Sequence, residues 1–360
     1  MVGNQQLLQA TRSAAMFYRQ QLQGRPNGWA AQHLRERGVG QSLLAGATGW
    51  WLGYAPDTWS GLVDHLRREG FDDQTMLSGG LARATRSGYL VDRFRGRIMF
   101  LAEDRQLNPV GFVGRAPGGL LKYLNSPTTD IYTKATTLVG VGAQQHRLRE
   151  GAVPVLVEGA MDAVAVSQLS DHWAGVSACG TAISPEQAVM LRHASRVDWV
   201  VVAFDGDSAG VNGAARSLDV LAEVFGVVLA ADLPPGQDPS SLFAASSERL
   251  HDVLTHTRPL AQVAIDVELS RWDRVLDHIS GQVNAVRAVA PLVAQLSAGR
   301  VAAEVARLAR RVGLEEQVVS REVVAAVGSR RQSRATRRRS ARHFDGVEVG
   351  ADPPGMSRTP

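Results

Sequence analysis

The sequence predicts an α/β protein, a parallel sheet flanked by helices, and three observations predict it. The first is the stretch Val153 to Val157, and the second is Val200 to Phe204. Each is a run of β-branched and apolar residues too short for a membrane span. Each ends abruptly in acid: Glu158 and then Asp162 after the first, Asp205 and Asp207 after the second. Such runs, bounded by glycine, read as strands buried on both faces of a parallel sheet. The third observation is that a helical pattern follows each run, and open α/β sheets bind ligands at the carboxyl ends of their strands. Glu158, Asp205 and Asp207 are therefore expected together at one rim, an arrangement suited to a divalent cation.

The elements around these runs follow in order. Residues 1 to about 90 read as mostly helical, with Leu7, Leu8, Ala14 and Phe17 near helical spacing and a break at Arg25-Pro26-Asn27-Gly28. Trp29 to Arg37 reads as a second short helix, and Thr48 to Pro56 as a turn-rich aromatic segment. Asp57 is placed to cap a helix that runs to Glu69 and stops at Gly70. Arg97 to Ala102 and Val110 to Val113, joined by a polar turn, read as a hairpin. Arg93, Arg95 and Arg97 lead into it, Arg115 follows it, and Lys122 to Pro127 reads as a polar turn before Lys134. The alternation then predicts strand 153–157, helix 160–170, strand 175–179, helix 184–194, strand 198–204, helix 208–225 and strand 226–231. Ser184 with Glu186 and Gln187 marks one helix start. Val211, Ala214, Leu218, Leu221 and Phe225 trace one apolar stripe. Pro234 to Pro239 is a loop carrying Asp238. From Ser241 to about Val327 the pattern is helical, with Pro259 and Pro291 expected in first turns. Beyond Gly328 the chain is basic, then rich in glycine and proline, and is expected to be disordered.

Composition limits the function. The 360 residues are 44% hydrophobic and 21% charged, ordinary values for a soluble protein of two or three domains. Net charge is +4, and the seven arginines between Ser329 and Arg342 carry much of the surplus. A single cysteine, Cys179, excludes an internal disulfide framework and any cysteine-rich zinc site. The reading is a cytoplasmic protein without a signal-peptide pattern or membrane span. No G-x-x-x-x-G-K-[ST] stretch is present, so no P-loop motor is expected.

Taken together, the motifs resemble the catalytic core of a bacterial DnaG-type primase with its Toprim fold. Val157 to Asp162, V-E-G-A-M-D, is similar to the family's V-E-G-Y-M-D. A-C-G-T-A-I-S-P-E-Q from Ala178 resembles its A-S-L-G-T-A-L-T-x-E-Q. F-D-G-D-S-A-G from Phe204 matches its acidic turn, and L-P-P-G-Q-D-P-S from Leu233 resembles L-P-x-G-x-D-P-D. Upstream, R-F-R-G-R-I-M-F, K-Y-L-N-S-P-T-T-D-I-Y-T-K and L-G-Y-A-P-D-T-W resemble the family's basic amino-terminal half. The similarity runs in order over roughly residues 12 to 275. It divides the chain into a basic nucleic-acid-binding subdomain (1–150), a Toprim subdomain (151–240), a helical region (241–328) and the tail (329–360). Two departures stand out. One cysteine cannot build the family's zinc-binding module, and Ser240 stands where the family's last acid falls.

The resemblance implies a DNA primase that joins ribonucleoside triphosphates into short RNA primers on single-stranded DNA. Mg²⁺ or Mn²⁺ is the expected cofactor, with no zinc. Principal ligands and catalytic groups are expected to be Glu158, Asp205 and Asp207, with Asp162 and Asp238 behind them or on a second ion. Glu158 as a general acid or base is the alternative. Arg95, Arg97, Arg115, Lys122, Tyr123, Asn125 and Lys134 are expected along the strand and nucleotide track. A replicative helicase and a separate zinc-binding chain are implied partners, and a phage or mobile element is one possible source. Plainer readings stand beside these: Asp205 as a helix cap, Asp162 as a solvated residue, Asp238 ordering its loop, Tyr123 as packing. Cys179 is read as a small buried residue and Trp50 and Trp51 as core. The arginine-rich tail either binds nucleic acid or is inert. Two rival functions remain, a Toprim nuclease or topoisomerase subunit and a single-strand-binding accessory protein.

Overall fold

The structure is a computed structural model that describes residues 2–46, 49–119 and 121–328. The tail expected beyond Gly328 lies outside the described residues. Helices α1 (Asn4–Gln23), α2 (Trp29–Glu36) and α3 (Gln41–Leu44) precede strand β1 (Leu52–Ala55). Helices α4 (Gly61–Arg68) and α5 (Asp73–Ser78) lead to a small hairpin, β2 (Ala82–Ala84) and β3 (Leu90–Asp92). Strands β4 (Arg97–Glu103), β5 (Pro109–Arg115), β6 (Tyr123–Asn125) and β7 (Leu138–Val139) follow. The alternating part holds α6 (Val141–Glu150), β8 (Val153–Val157), α7 (Ala160–Ser167), β9 (Trp173–Ser177) and α8 (Pro185–Ala194). It continues with β10 (Trp199–Val202), α9 (Ser208–Val224), β11 (Val227–Ala231), α10 (Pro239–Ala245), α11 (Ser247–Thr255) and β12 (Thr257–Pro259). Helix α12 (Leu260–Ser270) crosses the boundary between two compact units, Met1–Ala264 and Ile265–Pro360. The second unit holds α13 (Ile279–Val293), α14 (Ala298–Val312) and a helical run over 316–328.

Ten strands form one mixed sheet in the order β12-β11-β10-β8-β9-β7-β4-β5-β6, with β1 also on β4. Strands β9, β8, β10 and β11 are parallel, as their buried apolar runs predict. The remaining pairs are antiparallel, and the bridge Val139↔Ser177 joins the hairpin region to the parallel strands. Strands from before and after residue 150 therefore belong to one sheet.

Several elements differ from the sequence reading, each for a local reason. Leu52–Ala55 within the aromatic turn-rich segment is a strand, paired from Leu52↔Phe100 to Ala55↔Arg97. Tyr123–Asn125, read as a turn, is a strand whose register Arg115↔Tyr123 sets those two side by side. Ser60, not Asp57, stands at the start of α4, because Asp57 pairs with Arg95 at 2.9 Å. Pro259 ends the edge strand β12, where a missing N–H is tolerated. Pro291 lies within α13 and not in its first turn. Burial of Ala285, Val286, Val289, Ala290 and Val293 offsets the roughly 3 kcal/mol cost of a proline there.

The start of α8 is as expected. Ser184 accepts from the Gln187 N–H at 3.0 Å, and the Gln187 side chain accepts from the Ser184 N–H, closing a capping box. Ser184→Ala should lower stability by about 1 kcal/mol in urea denaturation of the whole chain.

Candidate active site

The acids meet because β8 and β10 are parallel neighbours, with Val201 opposite Val155. Chain leaving β8 delivers Glu158, and chain leaving β10 delivers Asp205. A Glu158 carboxylate oxygen accepts the Asp205 N–H at 3.3 Å. Asp207 begins α9, one oxygen accepting the Gly210 N–H at 2.8 Å. The turn is packed so closely that a Cβ on Gly206 would lie 2.1 Å from the Pro234 carbonyl oxygen. Gly206 donates to the Gln237 carbonyl at 2.9 Å, which seats the Pro234–Asp238 loop against the acidic turn. Asp162, in the first turn of α7, is buried and accepts the Ser240 N–H at 3.0 Å. Asp238 caps α10, accepting from the Ser241 N–H at 2.6 Å and the Ser240 hydroxyl at 2.8 Å.

Burial and mutual repulsion raise the proton affinity of this cluster. Burial, then Glu158, Asp238 and Asp207, pushes the Asp205 carboxyl up to about 7. Burial, then Asp238 and Asp205, does the same to Asp162, also to about 7. Glu158 is raised by burial, with Asp207 and Asp162 adding. Asp238 goes the other way. Burial opposes its charge, but the Ser241 and Ser240 hydrogen bonds and Arg37 outweigh burial and hold it below the usual carboxylate range.

A fold that binds protons more tightly than the unfolded chain is favoured by acid. The Asp162 contribution is thus fully present below its unfolded pKa of about 4 and lost as pH rises through about 7. For the metal-free chain, Asp162→Asn should shrink the gain in urea midpoint between pH 8 and pH 6.

A wall of cations faces the acids. Arg115 at the end of β5 and Lys122, Tyr123 and Asn125 at β6 line the same cavity of about 280 Å³ as Glu158, Asp162, Asp205 and Asp238. The Arg115 and Lys122 charges lie 6.0 and 5.8 Å from the Tyr123 ring centre. Buried Arg115 Nε and Asn125 Oδ1 have no hydrogen-bond partner among the described residues. Lys134 stands over the rim, its Nζ 2.9 Å from where a Cβ on Gly180 would be. Gln187 holds that segment by donating to the Lys134 and Thr137 carbonyls at 2.9 and 2.7 Å.

The structure does not bring every expected residue to this cavity. Asp207 is not among its lining residues. Arg95 stacks on Trp59 at 3.9 Å and pairs with Asp57. Arg97 donates to the Gly114, Leu121 and Lys122 carbonyls at 3.2, 3.0 and 3.3 Å, bracing the approach to β6. Cys179 is half-buried and lines the cavity, with its thiol pushed up to about 11 by burial. Trp50 is buried, as read.

Two residues escaped the sequence reading. Arg37, at the end of α2, lines the cavity and donates to the Ser240 hydroxyl at 3.0 Å. His33 touches Arg115, and burial, then Arg115 and Arg37, lowers its pKa. Nothing in the α2 pattern signals a partner 201 positions downstream.

The donor set fits a hard cation. Among the described residues, Asp205 Oδ1 is buried without a hydrogen-bond partner, beside a Glu158 carboxylate and in a cluster whose charges repel. Among the described residues, no three histidine, cysteine or acidic groups close around one point. That is compatible with Mg²⁺, which is held by one or two carboxylates together with waters and substrate phosphates.

Comparison with known proteins places this geometry. The model of the DNA primase catalytic core, N-terminal domain, matches residues 17–145, and a Toprim-like model matches residues 155–243. Together they define the class, a Toprim sheet with a primase-type basic half before it. The DNA primase of Mycobacterium tuberculosis is 33% identical over 328 residues, covering 88% of this chain and 50% of that protein. The RNA polymerase domain of Mycobacterium tuberculosis primase DnaG, solved with double-stranded DNA, is 30% identical with TM-score 0.68, covering 88% of this chain and 100% of that one. A DnaG primase catalytic domain bound to single-stranded DNA is 27% identical with TM-score 0.69, covering 87% and 98%. The chain belongs to the DnaG-type DNA primase family and matches its catalytic core. It spans about half the length of the curated relatives it matches.

Proposed function

We propose that the chain synthesises short RNA primers on single-stranded DNA from ribonucleoside triphosphates, using Mg²⁺ or Mn²⁺. One observation carries this reading: an acidic wall and a basic wall line a single cavity. Primer synthesis needs both at once, because it joins a hydroxyl to a phosphorus while neutralising a triphosphate. A bound divalent ion would polarise the phosphoryl oxygens and ease loss of pyrophosphate. Glu158 and Asp205 would hold it, with Asp207 fixing the turn through its α9 cap. Arg115 and Lys122 bind phosphate oxygens by charge, and the partly exposed ring of Tyr123 offers a surface for a base. Phosphate contacts of this kind position the strand and leave sequence to base pairing. Lys122→Ala should weaken template binding and flatten its log–log salt dependence by about 0.7, the loss of one single-strand phosphate contact, read by fluorescence anisotropy.

The likeness to catalytic domains solved with DNA supports the template assignment. A replicative helicase and a separate zinc-binding chain complete the proposed assembly, in the cytoplasm; no described helix is long and apolar enough to cross a membrane. The test offers single-stranded template, labelled ribonucleotides and Mg²⁺ or Mn²⁺. Short RNA products support the reading. Cut template means a nuclease, and binding without product means an accessory protein.

A further inference from the structure

The two sides of the cleft differ in how their carboxylates are engaged. On one side, among the described residues, Asp205 Oδ1 is buried with no hydrogen-bond partner, and Glu158 accepts only a long hydrogen bond from the Asp205 N–H. On the other, one Asp238 oxygen receives three donors: the Ser241 N–H at 2.6 Å, the Ser240 hydroxyl at 2.8 Å and Arg37 Nη1 at 3.4 Å. Asp162 gives an oxygen to the Ser240 N–H at 3.0 Å. Ser240 is the hinge of this side. Its backbone holds Asp162, its hydroxyl holds Asp238, and the same hydroxyl accepts Arg37 at 3.0 Å. That Asp238 oxygen is saturated by its three donors, and the guanidinium beside it, which does not lose its charge, repels a second cation from the carboxylate's other oxygen.

We propose that Arg37, seated by Ser240, fills the cation position on the Asp162–Asp238 side, so that the chain alone holds one divalent ion. That ion sits with Glu158 and Asp205. The proposal rests on the reading of that rim as a metal site. Of the two roles expected for Asp162 and Asp238, it rejects the second ion and keeps them behind the ligands, and it makes position 240 the residue that sets the ion count. An acid at 240 would bring a carboxylate into Arg37's reach and release Asp238.

The test counts bound Mn²⁺ by electron paramagnetic resonance on the full chain at pH 8, without nucleotide or template. The expected result is one Mn²⁺ per chain, lost in Asp205→Asn and kept in Asp238→Asn. Ser240→Asp should raise the count to two, while the neutral Ser240→Asn stays at one. Circular dichroism melting confirms folding of each variant; if Ser240→Asp does not fold, the Asp205 and Asp238 pair still decides. Two ions on the parent chain, none, or loss of the ion in Asp238→Asn overturns the proposal. Primer synthesis on the same samples separates the two ideas. A count of one without synthesis sinks the functional reading alone, and a count of two with synthesis sinks this one alone.

Discussion

Asp205→Asn is expected to cut ribonucleotide incorporation on a single-stranded template by about a thousandfold, roughly 4 kcal/mol of barrier. The change keeps the shape of the turn and removes only charge. Asp205 is the acid whose Oδ1 lies buried with no hydrogen-bond partner among the described residues, so the substitution breaks no hydrogen bond at that atom. Its carboxyl is pushed up to about 7 by burial and neighbouring acids, so at pH 8 the fold carries an unfavourable charge. The amide relieves that repulsion. The melting temperature of the metal-free chain should therefore stay level or rise while synthesis collapses. A fall in both would mean the residue is structural.

Gly210→Ala should reduce synthesis by about a hundredfold, near 3 kcal/mol of barrier, with the protein still folded. A Cβ there would lie 2.2 Å from the Asp205 carbonyl oxygen and 2.8 Å from a Glu158 carboxylate oxygen. Backbone cannot yield at the first contact without moving the turn. The acids would be displaced relative to one another, and a misplacement of about 1 Å costs on that order. Steady-state incorporation with a far-ultraviolet circular dichroism control reads both parts. Wild-type rates would show that Glu158 and Asp205 need not keep their present spacing.

How much of this was legible depended on distance along the chain. The strands carrying Glu158 and Asp205 announce themselves as apolar runs that stop at acid, and Val153–Val157 begins and ends where the pattern puts it. Helix α8 was legible through its capping box, a signal confined to Ser184 and Gln187. Tyr123–Asn125 was not, because a three-residue strand has too few positions for alternation and is fixed by its pairing with β5. Proline rules misplaced Pro291, since burial of its helix outweighs a local preference. Within the site, Arg115, Lys122 and Tyr123 were found as a local cluster of basic and aromatic residues. Arg95 and Arg97 carry the same sequence signal but are spent on Trp59, Asp57 and backbone carbonyls. Arg37 had no signal, because its meaning lies in Ser240 and Asp238, brought near only by the fold.

The central claim is that a nucleotide binds between the acidic and basic walls of one cavity. Photo-crosslinking with an azido-purine nucleoside triphosphate in Mg²⁺, followed by peptide mass spectrometry, tests it most directly. Adducts should fall on the peptides carrying Lys122 to Asn125 and Cys179 to Gly180, and should vanish with excess unlabelled triphosphate. Competed adducts confined to the Trp59 and Arg95 surface, or to the opposite end of the sheet near Trp173 and Trp199, would contradict it.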